Sequence, residues 1–205
     1  ACHRPEMEKR GPVRFDVFSM VRPCIGESVS GDAAVSKVLG SDMLAAMIDV
    51  LGHGSEANQL ARVLEAGITS WESLDLRALM TQLHATAIGT RGAAVGLAAL
   101  DAGQCCLRFL GIGNTRIRKF GEESWSGISR DGVLGDRLPA LREERVDLNE
   151  GDVVALYSDG LKEHISQKDY PRLTLETPAA IASSLITRYG KAYDDASCMV
   201  IKCRS

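Results

Sequence analysis

The stretch Met43-Leu-Ala-Ala-Met-Ile-Asp49-Val-Leu-Gly-His53-Gly54 decides how this chain is read. Six apolar residues run without relief into a carboxylate, and Gly52 follows three positions on. Burying an ionised carboxylate costs several kcal/mol unless a cation or strong donors compensate it. Asp49 is therefore badly placed for a core and well placed for a site. A second apolar run, Val153 to Tyr157, ends the same way in Ser158-Asp159-Gly160. Asp32 follows Gly31 and leads into an apolar run, and Asp194-Asp195 precede Ala196 to Lys202. Taken singly, Asp32, Asp159 and Asp194 each read as turn or cap residues. Together, four acidic positions at the margins of apolar runs point to one oxygen-lined metal centre.

Around these positions the pattern alternates between two periods. Residues 13–21 alternate apolar and polar side chains, as a half-buried strand does. Residues 33–39 and 42–50 read as two strands joined by Gly40-Ser41. Ala57, Leu60, Ala61, Leu64 and Ile68 then recur at helical spacing, with Ser55 as the expected N-cap. Leu76, Leu79, Met80, Leu83 and Ala87 predict a second helix capped by Asp75 and broken at Arg91-Gly92. Residues 93–100 return to strand. Residues 104–110 and 115–120 read as a strand pair, joined by Gly111-Ile112-Gly113-Asn114 as a hairpin turn. Residues 121–141 read as irregular, 142–148 and 153–157 as strands, and Thr177 as the cap of a last helix before a closing strand at 197–202. Strands in runs and helices in blocks predict an α+β domain with largely antiparallel sheets.

The chain has 205 residues, enough for one domain with a sizeable core. Residues 1–12 read as a leader and 13–205 as the domain. Aromatic content of 5% makes the expected core aliphatic. A net charge of -3 gives no electrostatic reason to expect nucleic acid or an anionic membrane. With no apolar run long enough to span a bilayer and a polar start, the expected location is the cytoplasm. The six cysteines form no CxxC pair and read as reduced core residues, with Cys105 and Cys106 on opposite faces of a strand.

An all-oxygen ligand set selects Mg²⁺ or Mn²⁺ over zinc or copper. Two such ions lower the pKa of a shared water and neutralise charge on a departing phosphate oxygen. His53 is a candidate general acid, a phosphate-side donor or a helix-entry residue. His3, His84 and His164 read as structural or solvent-facing. Arg91, Arg116 and Arg130 are the basic residues that could meet a phosphate, with solvation as the default for each.

The ordered set GDAAV (31–35), MIDVLGHG (47–54), RGAAVGLAAL (91–100), GIGNTRI (111–117), LYSDGLKE (156–163) and DDASCMVIK (194–202) resembles the metal-dependent protein phosphatase (PPM) family, in its SpoIIE-like branch. The resemblance spans residues 13–202. It implies a four-layer αββα sandwich of two antiparallel sheets flanked by helix pairs, holding two Mn²⁺ or Mg²⁺ ions at one end. It implies Asp32, Asp49, Asp159 and Asp194 as ligands, Asp49 bridging, with the Val50 carbonyl beside it and Asp195 and Gly160 as supports. By the same resemblance the chain is a monomeric serine/threonine protein phosphatase that uses a metal-bridging hydroxide, and its partners are phosphorylated STAS-domain proteins of a stressosome. The alternatives are a phosphoprotein-binding pseudo-phosphatase and a phosphatase of an anti-sigma-factor antagonist. Three departures stand out. The histidine after Asp49 is displaced, so the resemblance carries no general-acid role to His53. Asn114 stands where many relatives have aspartate. Residues 121–141 are too few for the large flap of some relatives.

Overall fold

A computed structural model describes residues 13–162, 165, 168 and 170–204. The described residues run β1 (Arg14–Arg22), β2 (Asp32–Leu39), β3 (Asp42–Val50), α1 (Gly54–Thr69), α2 (Leu76–Ala87), β4 (Ala93–Asp101), β5 (Cys106–Ile112), β6 (Arg116–Phe120), β7 (Trp125–Gly127), β8 (Glu144–Asp147), β9 (Val153–Tyr157), α3 (Pro178–Tyr189) and β10 (Ala196–Arg204). The strands form two sheets, in the orders β1-β10-β9-β6-β7 and β2-β3-β4-β5-β8. Their ladders are antiparallel.

Side-chain alternation along the strands builds the layers. In β3, Leu44, Ala46, Ile48 and Val50 pack with Leu60 and Leu64 of α1 and Leu79 and Met80 of α2. Met43, Ala45 and Met47 face the other way and meet Leu156, Met199 and Ile201 of the second sheet. The far face of that sheet, with Val153, Ala155 and Tyr157, packs on Ile181 and Leu185 of α3. Three apolar interfaces between four layers give the expected αββα sandwich. Strands β3, β4 and β10 are buried on both faces, which is why they are apolar almost throughout. Each fully buried leucine contributes about 1.5–3 kcal/mol.

Several local expectations are corrected. Residues 111–114 do not turn a hairpin. β5 pairs with β4 and β8, while β6 pairs with β7 and β9 in the other sheet, so this segment is a crossover between sheets. Local sequence shows that two strands are near each other, but their partners lie elsewhere in the chain. The strand expected at 142–148 is shorter and joins β5. Residues 121–141, read as irregular, contain the short strand β7. The N-cap of α1 is His53, without a side-chain cap, rather than Ser55, and α2 ends at Ala87, before Arg91-Gly92. Asp75 and Thr177 cap α2 and α3 as expected, accepting from Ala78 N at 2.9 Å and Ala180 N at 3.3 Å. On its outer side the second sheet carries one α-helix and a 3-10 turn (Leu173–Leu175) among the described residues, rather than a helix pair.

Cys105 lies in the turn before β5, at φ 48, not in the strand. Cys24, Cys106, Cys198 and Cys203 are free thiols, and these four and Cys105 are buried. Burial pushes the Cys198 and Cys203 thiols up to about 12, away from nucleophilic use. The expected leader with Cys2 and His3, and His164, lie outside the described residues.

Candidate metal centre

The β2–β3 hairpin places Asp32 directly opposite Asp49. The alternation that sends Met47 between the sheets sends Asp49 there too, and the same holds for Ala34 and Asp32. Val50 N donates to Gly31 O at 3.2 Å. The next pair, Asp32 and Asp49, is therefore a non-hydrogen-bonded one, where side chains of opposed residues come closest, at Cα separations of about 4.5 Å. Like charges in such a pair repel. Each carboxylate has one buried oxygen, Oδ2, without a hydrogen-bond partner.

The second sheet closes the slot from across the sandwich. Ser158 follows β9 and Ser197 lies in β10, both on the inward alternation and both fully buried. Burial pushes Asp32 up to about 7, with the hydroxyls of Ser158 and Ser197 opposing the shift and Asp195 and Asp194 adding to it. Burial, and then repulsion from Asp32, Asp159 and Asp194, pushes Asp49 up to about 8, opposed by the Asp159 backbone amide. Asp194 is raised by burial and by Asp159, with Lys191 pulling the other way. Asp32, Asp49, Asp159 and Asp194 lie near enough to act on one another's charge. Among the described residues no three His, Cys, Asp or Glu side chains form a ready-made metal group.

Asp195 has a different position. Its Oδ1 accepts from Cys24 N at 2.8 Å and its Oδ2 from Gly31 N at 2.7 Å. Both oxygens are thus spent on holding residues 24–31 against the entry to β2. Gly31 consequently does not return a ladder bond to Val50, and the Val50 carbonyl, on the same strand edge as its N–H, is released from that pairing. Gly160 packs so closely on Asp195 that a Cβ there would lie 1.7 Å from the Asp195 carbonyl oxygen. Only glycine lets the Ser158-Asp159-Gly160 turn approach the Asp194-Asp195 segment.

His53 is exposed and its Nδ1 lies 2.8 Å from Glu27 Oε1. Its hydrogen bond is to that glutamate. Arg91 bonds to Glu56 at 2.7 Å. Arg116 lines a cleft of about 610 Å³ with Leu51, Asn114, Ile128 and Asp131. Arg130 lines an adjoining cleft with Arg142 and Glu144. Sequence reasoning missed Ser158 and Ser197 as neighbours of Asp32. Their inward parity along β9 and β10 was the available signal.

The residues present fit a hard divalent cation: two opposed carboxylates, Asp32 buried and Asp49 half-buried, each with one buried orphan oxygen. A cation there would restore the charged form that burial now disfavours. Fold and acidic slot together define a PP2C-type phosphatase domain. The chain belongs to the family described as stage II sporulation protein E (SpoIIE), which matches residues 40–204. It is 22% identical over 138 residues to the phosphoserine phosphatase RsbX of Bacillus subtilis (strain 168), covering 66% of this chain and 69% of RsbX. A solved structure from the bacterial stressosome, described as a modular system adapted to control secondary messenger signalling, superposes with a TM-score of 0.84. It has 24% identity and covers 94% of this chain and 100% of that one. The structure of RsbX in complex with magnesium superposes with a TM-score of 0.79 at 18% identity, covering 96% of this chain and 98% of that one. No helix among the described residues is long and apolar enough to cross a membrane.

Proposed function

We propose that residues 13–205 form a metal-dependent phosphatase that hydrolyses phosphoserine or phosphothreonine on STAS-domain proteins of a stressosome. The observation that carries the reading is the pair Asp32 and Asp49, opposed across β2–β3 with one orphan buried oxygen each. Family membership, the RsbX likeness, and the stressosome origin of a similar structure support the activity and the substrate class. Magnesium in the RsbX structure supports the choice of Mg²⁺ or Mn²⁺.

Asp32, Asp49, Asp159 and Asp194 would hold two ions, with the Val50 carbonyl as a further oxygen. Such ions supply a water of lowered pKa and charge neutralisation for a phosphoryl group. The protein's own part is positional. Ser158 and Ser197 steady Asp32, Asp195 fixes the strand entry, and Gly160 allows the two acidic turns to meet. The cleft beside Leu51 and Asn114 is the adjoining space for a substrate side chain.

The test replaces Asp159 with Asn and follows phosphate release from a phosphoserine STAS-domain protein with Mn²⁺. Loss of turnover by about 10²-fold or more is expected. Turnover equal to wild type would remove the metal role. Release from none of a panel of STAS phosphoproteins by the wild type would remove the substrate assignment.

A further inference from the structure

We propose that Asn114 is a positioning residue that orients the Asp159 carboxylate for the metal; the inference rests on the metal reading above. Three observations lead to it. The β6–β9 ladder pairs Arg116 with Tyr157 and Ile117 with Leu156. Carried two residues past the strand ends, that register sets Asn114 opposite Asp159. The contact is made: Asn114 Nδ2 donates to Asp159 Oδ2 at 2.6 Å. The chain reaches this point because the crossover lies flat on β4. Gly113 adopts φ 86, and a Cβ on it would fall 2.4 Å from the Ala94 Cβ.

Other close partners of Asp159 in the slot, Asp49 and Asp194, are acids. A carboxylate can only accept, so the Asn114 amide must face it with its N–H side. Hydrogen bonds to ionised groups are roughly twice as strong as neutral ones. Asn114 therefore occupies one Asp159 oxygen and fixes the plane of the carboxylate. It does so without adding a negative charge to a crowded slot. Partners of this kind, one bond removed from the metal, set ligand orientation and cation affinity.

The experiment is calorimetric titration of Mn²⁺ into the wild type, Asn114→Ala and Asn114→Gln, with melting of each metal-free protein as a second readout. Asn114→Ala is expected to bind Mn²⁺ about 10- to 100-fold more weakly. Its metal-free melting temperature should stay within about 2 °C of wild type, because the side chain is exposed. Asn114→Gln keeps an amide donor and should recover most of the affinity. Equal Mn²⁺ affinity in Asn114→Ala and wild type overturns the positioning role while leaving the metal reading intact. If the wild type itself binds no Mn²⁺, the metal reading fails and takes this inference with it.

Discussion

Replacing Asp49 with asparagine is expected to stabilise the metal-free protein while abolishing its response to metal. The folded-state pKa of Asp49 lies near 8 against an ordinary value of 3.8. A carboxyl group raised in this way costs nothing below the unfolded value, where both states hold the proton. As the pH rises from about 4 to about 8, the unfolded chain releases its proton and the folded chain does not, so stability falls across that window. At pH 7 the gap spans about three units at about 1.4 kcal/mol each, or about 4 kcal/mol. Asparagine keeps the volume and removes the charge, but its amide must find acceptors, which offsets about half of the gain. A net stabilisation of about 2 kcal/mol should raise the melting temperature by about 4–8 °C in a domain of this size. The assay is thermal unfolding of wild type and Asp49→Asn in EDTA from pH 5 to pH 8. The difference should be largest at pH 8 and shrink towards pH 5. Added Mn²⁺ should raise the wild-type melting temperature and leave the variant unmoved. If Asp49→Asn is no more stable than wild type at pH 8, or the difference is the same at pH 5, the electrostatic reasoning is wrong.

Two further outcomes follow from the supports around the slot. Asp195→Ala removes the acceptor for Cys24 N and Gly31 N and should destabilise the fold by about 2–4 kcal/mol, read by urea unfolding; an unchanged midpoint would contradict its clamping role. Gly160→Ala drives a Cβ into the Asp195 carbonyl and should lower phosphatase activity by at least an order of magnitude while circular dichroism still reports the sandwich, and full activity would show that the two turns need not meet so closely.

The parts of this fold that sequence makes legible are those governed by local rules. The β2–β3 hairpin needs only one turn at Gly40-Ser41, and once the turn is placed the register sets Asp32 against Asp49. The helices α1 and α2 follow from apolar spacing, because one stripe of each packs on the sheet. What stays hidden depends on partners far along the chain. β5 and β6 look like neighbours but belong to different sheets, since β6 is claimed by β9 and β5 by β4 and β8. The Asn114–Asp159 bond spans 45 positions and the Asp195–Gly31 bond 164, so no local spacing announces either. Lys119 and Asp152, both buried and paired at 3.0 Å, meet only because β6 and β9 lie side by side.

The central claim is that Asp32 and Asp49 are held together, at a cost to stability, in order to bind a cation. Anomalous diffraction from crystals soaked in Mn²⁺ tests it most directly. The account predicts manganese within about 2.2 Å of Asp32 and Asp49 oxygens, between the two sheets. Manganese bound only elsewhere, or none at a concentration that supports phosphate release, would contradict it.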